Sequence, residues 1–483
     1  MANRIKNILR ISGGLLIIAL ACALFAPAAM AAEGDSAVEI YFDSGGAADF
    51  MGTAFYRAGA LWVPAEALRL LGADIDDAPG GKGFVVTVSN PARAFDSPAL
   101  RTLAGDKLSL SFPLTEEAGI SYFNVNGMEK LLGLACDESG GAVTFRPAQS
   151  GRAYDSGGAA KKGKLPAGKL TLAWEHVTRE NPDLAAQGKI KGLDVLSPTW
   201  FNLADANGGI ANRASAAYSR TAREMGYSLW ALVSNSFNAQ MTTAFFKNAR
   251  AQNLFIARLI AYAKLYGLDG INVDFEGMSD EHRDPYTRFF SRLASALRAE
   301  GLIVSVDVFI PANTKSSRSH NRAQLAKDAD YLMLMAYDEH WRTSPRAGSV
   351  ASLPWVKRAV EGTLAEGVPP SKLLLGVPFY MRRWEETKSG GGVKVKGSTL
   401  TMAEARALAA KTGAQLRWLE NEAQHYFSYT ANGKNYKIWV ENAESLAKKL
   451  ELVKKHGLAG MAGWRKGHEE PDIWEVVARM MEK

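Results

Sequence analysis

From residue 169 onward the chain repeats one pattern, a short apolar run followed by a longer amphipathic stretch. The runs are KLTLAWEHV (169–177), LDVLSPTWFNL (193–203), YSLWALVSNSF (227–237), LDGINVDFE (268–276), LIVSVDVFIP (302–311), YLMLMAYD (331–338), KLLLGVPFY (372–380) and GLAGMAGW (457–464). Between them lie stretches such as NLFIARLIAYAKLYG and PYTRFFSRLASALRAEG, whose apolar residues recur at helical spacing. Eight strands, mostly separated by helices, predict an α/β fold of the (β/α)8 TIM-barrel type. An open doubly wound sheet is the alternative, but no Gly-rich phosphate loop follows the first run. One connection is too long for a single helix. Residues 381–440 hold a helical stretch (TMAEARALAAKTG) and three strand-like runs (QLRWLE, HYFSYT, YKIWVE). They predict a small α+β insertion between strands 7 and 8, forming one wall of a cleft.

The barrel reading makes the fourth run unusual. Successive side chains of a strand alternate between faces, so Asn272, Asp274 and Glu276 share one face and Ile271, Val273 and Phe275 the other. On an edge strand the polar face would simply meet water. A parallel strand covered by helices is normally apolar on both faces. Burying three polar side chains there costs several kcal/mol unless they are paired or chemically needed. Glu276 falls at the carboxyl end of the strand, where barrel active sites lie. Asp269 has the opposite parity and is expected to tie the strand to its surroundings. Trp174 and Glu175 end the first run and Trp200 the second, so all three are expected at the barrel mouth, with core packing the competing role for each Trp. Tyr380, ending the seventh run, is a further cleft residue. No His, Cys or Asp spacing suits a metal, and no cofactor is implied.

With these residues in view, the segment resembles family 18 of the glycoside hydrolases. LDGINVDFE fits that family's Asp-x-x-Asp-x-Asp-x-Glu signature, with Asn272 in the second acidic place. MAYD (335–338) matches its sixth-strand motif, and Trp464 in MAGWRKG its eighth-strand aromatic. The likeness covers residues 169–483 and is strongest to spore-germination-type and chitinase-like proteins. It implies a retaining glycosidase acting on polymers of β-linked N-acetylglucosamine, peptidoglycan or chitin, by substrate-assisted chemistry. On that reading Glu276 is the general acid and Asp274 orients the substrate's acetamido group. Tyr337 positions that group with Asp338 beside it, and Trp464 floors the sugar site. Asn272 is the departure, because an amide cannot share a proton with Asp274 although it can hydrogen-bond it. A non-catalytic carbohydrate- or wall-binding protein of the same fold is the competing class, and retention of Glu276 argues against it. A scaffold role carried by the N-terminal region is a third.

A chain of 483 residues is long enough for a second domain. ALWVPAEALRLLGADI (60–75) is echoed by ISYFNVNGMEKLLGLAC (120–136), with Leu71-Gly72 recurring sixty-one residues on as Leu132-Gly133, and each copy precedes a strand-like run, FVVTV (84–88) or AVTF (142–145). A repeated strand–helix–strand unit predicts a small α+β domain over 33–146, resembling the copper-amine-oxidase N-terminal-like domain. No metal follows from that name, since all seven His lie at 176 or later. The role expected of it is spacing or wall attachment. Residues 147–168, rich in Gly, Ala, Ser and Lys, read as a linker.

Residues 1–31 read as a secretory signal peptide, with Arg4, Lys6 and Arg10 before an apolar stretch and Ala29-Met30-Ala31 as cleavage site. No later segment is apolar enough to be an integral membrane span. Cys22 follows Ala19-Leu20-Ala21, but Leu is usual where Ala19 stands, so lipoprotein anchoring is the less favoured outcome. The expected location is secreted or cell-wall-associated. Signal removal leaves Cys136 as the sole cysteine, set among apolar neighbours and read as a buried small hydrophobe. Charge is divided unevenly. Residues 33–150 hold sixteen Asp/Glu against eight Lys/Arg and residues 1–32 contribute +3, so a net +7 leaves +12 for residues 151–483. A basic exported domain suits a polyanionic wall. Its basic residues are scattered, so no nucleic-acid partner is expected.

Overall fold

The fourth apolar run owes its position to what covers it. Helix α3 (Arg283–Ala299), which follows it, buries Tyr286, Phe289, Phe290, Leu293, Ala294 and Leu297, a single face at 3.6-residue spacing. Phe275 stacks on Tyr286 at 5.6 Å and on Phe289 at 5.7 Å between ring centroids. Burial of each such side chain contributes about 1.5–3 kcal/mol. That fixes the apolar face of the run outward, and Asn272 and Asp274 are therefore turned into the barrel.

A computed structural model describes residues 36–482 except 44–47, 58–59, 72, 74, 79–82, 118, 126–130, 133, 140, 148–167 and 390–391. The signal segment and nearly all of the expected linker lie outside the described residues. The described residues form two compact units, 36–96 with 107–147, and 97–106 with 168–482.

The second unit is the predicted barrel. Its strands are β1 (Leu170–Glu175), β2 (Val195–Pro198), β3 (Ser228–Ser234), β4 (Gly270–Asp274), β5 (Ile303–Phe309), β6 (Tyr331–Met335), β7 (Leu373–Pro378) and β8 (Gly460–Trp464). All neighbours pair in parallel, and β8 pairs with β1 to close the ring. Principal covering helices are α1 (Ala216–Glu224), α2 (Ala249–Tyr266), α3, α4 (Arg322–Asp328), α5 (Leu353–Ala365), α6 (Ala443–Lys455) and α7 (Pro471–Met480). Helix α2 shows the local rules plainly. The Asn248 side chain accepts the Ala251 N–H at its start, and Gly267, at φ 60°, ends it in the left-handed region. Leu170, Leu172, Trp174, Val195, Trp230, Leu232, Ile303, Met333, Leu374 and Ala462 form one buried cluster that plugs the barrel interior.

Two segments differ from expectation. The second run is broken, because Pro198 ends β2 and a separate strand, Phe201–Leu203, pairs with the end of β3. The insertion carries more sheet than its sequence suggested. Its five strands order as 392–401, 380–389, 434–440, 424–431 and 417–419, with the helix Met402–Thr412. The long hairpin 380–401 escaped notice because its turn is Gly-rich and its outer strand polar.

The first unit is α+β. A seven-stranded sheet is accompanied by a three-stranded one of Ile75–Asp77, Phe84–Ser89 and Lys107–Phe112. The first strands of the two repeat copies, Ala60–Pro64 and Ile120–Asn124, pair antiparallel, with Val63 opposite Phe123. Cys136 is half-buried rather than fully buried. It sits on Leu134–Ser139, the edge strand of the larger sheet.

Candidate active site

At the carboxyl ends of the barrel strands lies a cavity of about 780 Å³. Its wall includes Asp274, Glu276, Tyr337, Asp338, Tyr380 and Trp464 from the sequence analysis, together with Asp307 from β5.

The centre of the arrangement is Asn272, fully buried just below the cavity. Its Oδ1 accepts from Trp174 Nε1 at 2.8 Å and from Ser197 Oγ at 3.4 Å. Its Nδ2 donates to Ser305 Oγ at 3.1 Å and to Asp307 Oδ1 at 2.8 Å. The indole N–H can only donate, so it fixes which end of the amide faces Asp307. Register explains the meeting, since Asn272 lies opposite Ser305 and Val273 opposite Val306, which brings Asp307 to the level of Asp274. A carboxylate at 272 would confront Asp307 with another acceptor. The carboxylate missing from the sequence signature is thus matched by one on the adjacent strand, and the amide is its complement.

Asp274 and Asp307 are both held well above the ordinary carboxyl range. Burial is the largest cause for each, with Asp307's charge adding to it for Asp274 and Glu276's for Asp307. Asp274 Oδ1 is buried without a hydrogen-bond partner among the described residues. Glu276 lies two residues beyond β4 and is also raised well above its usual value, by burial, then by the charges of Asp274 and Asp338 and a hydrogen bond with Asp274. A carboxyl so placed keeps its proton to higher pH than a free one, as suits a general acid.

Supports the sequence did not reveal hold this group. Asn235, at the end of β3, accepts the Glu276 N–H through Oδ1 at 2.9 Å and donates Nδ2 to the Glu276 carbonyl at 2.7 Å. Gly277 follows at φ 67°, where an added Cβ would lie 2.6 Å from the Phe237 carbonyl oxygen. Only glycine suits that conformation and that approach. Asp269, as expected, turns away and accepts the Leu229 N–H at 2.8 Å.

Tyr337 stands edge-on to Trp174 and to Tyr380, each at 6.5 Å, and its hydroxyl is kept neutral by burial and by the surrounding carboxylates. Asp338 adopts φ 62° and accepts from Tyr380 Oη at 2.6 Å and Arg382 Nη2 at 2.8 Å. A non-glycine residue held in this region marks a site where surrounding contacts over-determine the backbone. Trp464 packs edge-on to Trp174 at 6.0 Å and exposes a face to the cavity.

Three expected mouth residues are placed elsewhere. Adjacent residues on a strand cannot share a face, so Trp174, turned inward onto Asn272, leaves Glu175 facing out. There Glu175 accepts from Lys466 Nζ at 2.8 Å and Tyr218 Oη at 3.1 Å. Trp174 lies beneath the site, fully buried, and braces it rather than lining it. Trp200 is fully buried past the break at Pro198, donating to Asn181 Oδ1 at 2.6 Å and packing on Tyr218 at 5.5 Å. In their stead Phe237 lines the cavity with a half-exposed ring, on a turn where Ser236 and Phe237 both have positive φ. Among the described residues no group of three or more His, Cys, Asp or Glu is arranged to hold a metal ion.

Residues 231–468 match the family model of glycosyl hydrolases family 18. This part of the chain belongs to that family. The curated relatives include the uncharacterized glycosylase YvbX of Bacillus subtilis, 28% identical over 291 residues, covering 56% of this chain and 80% of that protein. A cortical fragment-lytic enzyme of Bacillus anthracis is 25% identical over 248 residues, covering 50% of this chain and 56% of the other. Among solved structures, a chitinase from Chromobacterium violaceum superposes with TM-score 0.58 at 26% identity, covering 65% of this chain and 99% of that one. The family-18 domain is that of a glycosidase, and the carboxylate cluster on β4 and β5 lies within the matched residues.

Proposed function

We propose that this protein is an exported, retaining glycosidase that cleaves β-linked N-acetylglucosamine polymers with help from the substrate's own acetamido group. One observation carries the reading: Glu276, its carboxyl raised by burial and by the charge of Asp274, lines the same cavity as that second carboxyl, two residues away on one face of the strand. Two-carboxylate retaining enzymes hold their acid and nucleophile about 5–5.5 Å apart, on opposite sides of the scissile bond. Asp274, beside Glu276 on the same strand face, does not fit the nucleophile's place across the bond but does fit an orienting role.

The steps follow from the side chains. Glu276 donates its proton to the glycosidic oxygen as the acetamido carbonyl oxygen attacks the anomeric carbon, and the leaving sugar departs with that proton. Asp274 accepts the acetamido N–H and offsets the positive charge of the oxazolinium ring. Tyr337 donates its hydroxyl proton toward the acetamido group, and Trp464 offers its ring to the apolar sugar face. Glu276, now a carboxylate, takes a proton from water that opens the ring at the anomeric carbon, restoring the starting configuration. Asp307 and Asn272 hold Asp274's surroundings fixed throughout.

The cortical fragment-lytic and chitinase activities named for the relatives support a substrate of this class. The signal-like N-terminus and the basic charge of residues 151–483 support action outside the cell, at a wall, with the N-terminal unit as spacer or attachment module. Among the described residues no helix is long and apolar enough to cross a membrane. The test is incubation with purified peptidoglycan and with chitin oligomers, followed by mass analysis of new reducing ends. N-acetylglucosamine at the new reducing end supports the proposal. Intact polymers in both reactions would favour the carbohydrate-binding alternative.

A further inference from the structure

Opposite the carboxylate cluster, the cavity wall is cationic in a way the hydrolytic steps above do not use. Arg465 directly follows Trp464 and lines the cavity, and its guanidinium has no hydrogen-bond or ion-pair partner among the described residues. Arg213 lines the same cavity, and its side chain donates only to neutral acceptors, the Thr178 carbonyl at 3.0 Å and Asn202 Oδ1. The two act on a common neighbour. His176, on the same wall, is depressed by burial, then by Arg465 and by Arg213, so both guanidinium charges converge there. His468 is likewise pushed down to about 4, by burial and by Arg465, and stays neutral at ordinary pH.

Among the described residues no carboxylate forms an ion pair with either guanidinium. Glu175 lies near Arg465 but is already met by Lys466 at 2.8 Å, and Asp338 is met by Arg382 at 2.8 Å. Two uncompensated guanidinium groups beside a sugar-stacking tryptophan are an unused recognition element, because partly desolvated Arg attracts carboxylates through paired, charge-assisted N–H donors. A neutral glycan would leave both charges unanswered.

We propose that Arg213 and Arg465 form a carboxylate-binding subsite, so that the preferred substrate is an acid-bearing N-acetylated glycan rather than a neutral one. This rests on the glycosidase reading for its place in catalysis, but not for its existence as a binding site. Peptidoglycan has the required chemistry, since every second sugar bears a lactyl ether whose carboxyl is free or extended by a peptide ending in a carboxylate. Chitin has none.

The test is calorimetric binding in a Glu276→Gln background, which removes turnover from the readout. The ligands are a peptide-free N-acetylglucosamine–N-acetylmuramic acid tetrasaccharide, the same saccharide with its lactyl carboxyls reduced to alcohols, its peptide-bearing form, and chitotetraose. The acid saccharide, or its peptide-bearing form, should bind roughly 10- to 100-fold more tightly than the reduced one, with the advantage shrinking as salt is raised. Preference for the peptide-free acid assigns the lactyl carboxylate, and preference confined to the peptide-bearing form assigns the peptide carboxylate. Adding Arg465→Gln or Arg213→Gln should lower the acid-to-reduced affinity ratio by about tenfold. That ratio is insensitive to the fraction of variant that is folded. Equal affinity for the acid-bearing and reduced ligands, or a ratio unchanged by both substitutions, overturns the proposal. If the wild-type protein cleaves neither polymer while the affinity ratio holds, the catalytic reading fails and the subsite stands.

Discussion

Asn272→Asp tests whether the amide is there to satisfy Asp307. Asn272 uses both ends of its amide, and the substitution keeps acceptance from Trp174 and Ser197 while removing two donors, one of them to the Asp307 carboxylate. A lost hydrogen bond to a charged group costs about 1.5–3 kcal/mol. For a large domain, where each kcal/mol shifts Tm by about 2 °C, the expected fall is about 3–6 °C at pH 7. The sign with pH follows from linkage. A buried carboxyl facing Asp307 has a folded-state pKa above its unfolded value of about 3.9, so the fold favours its protonated form. The defect should therefore be smallest below pH 4 and grow as pH rises toward the folded-state pKa. The repair is equally specific: Asn272→Asp with Asp307→Asn exchanges carboxylate and amide and restores one donor facing one acceptor. The assay is thermal unfolding of wild type, both single variants and the exchange variant from pH 4 to 8. A pH-independent loss, or an exchange variant no more stable than Asn272→Asp, would refute the pairing argument.

Other outcomes follow from the same geometry. Glu276→Gln should fold normally but lower kcat by about 10²–10⁴-fold, as expected for losing a general acid, measured on chitin oligomers or peptidoglycan fragments. Asp274→Asn removes a negative neighbour that raises the Glu276 pKa, so any residual activity should show its alkaline limb moved to lower pH, and an unmoved limb would contradict that coupling. Glu175→Gln leaves Lys466 buried without its carboxylate and should destabilise the barrel by about 3–5 kcal/mol in denaturant titrations, whereas a cleft role would leave stability intact and raise KM. Phe237→Ala should raise KM several-fold through lost ring–sugar contact, about 1 kcal/mol, with kcat little changed.

The barrel was legible because its signal is redundant, eight apolar runs and helical stretches all pointing to one closed sheet. The acid was legible because strand alternation in LDGINVDFE puts polar side chains where a covered strand cannot otherwise afford them. Asp307 was missed although the same alternation exposes it. Ser305 and Asp307 share a face in an otherwise apolar run, and only the register of β4 against β5 shows that this face meets Asn272. Glu175 was misplaced by reading two adjacent residues as sharing one face, when parity allows only one of Trp174 and Glu175 inside. Trp200 was misplaced because Pro198 divides the second run, and the chain beyond the break follows β3. Arg213 and Arg465 lie 252 residues apart and carry no local signal. Their significance lies in the lack of nearby carboxylates, which only the folded arrangement reveals.

The central claim is that the substrate supplies the nucleophile. Its most direct measurement is the cleavage rate of two chito-oligosaccharides identical except at the sugar contributing the broken bond, N-acetylated in one and carrying a free amine in the other. With Glu276 as acid, Asp274 as orienting group and no protein nucleophile, the acetylated compound should be cleaved with retention. The free amine should lower kcat/KM at least about 10³-fold, in line with losing a positioned intramolecular reactant. Rates within tenfold of each other, or inversion at the anomeric carbon, would show that a protein group or a directly attacking water does the work assigned here to the acetamido oxygen.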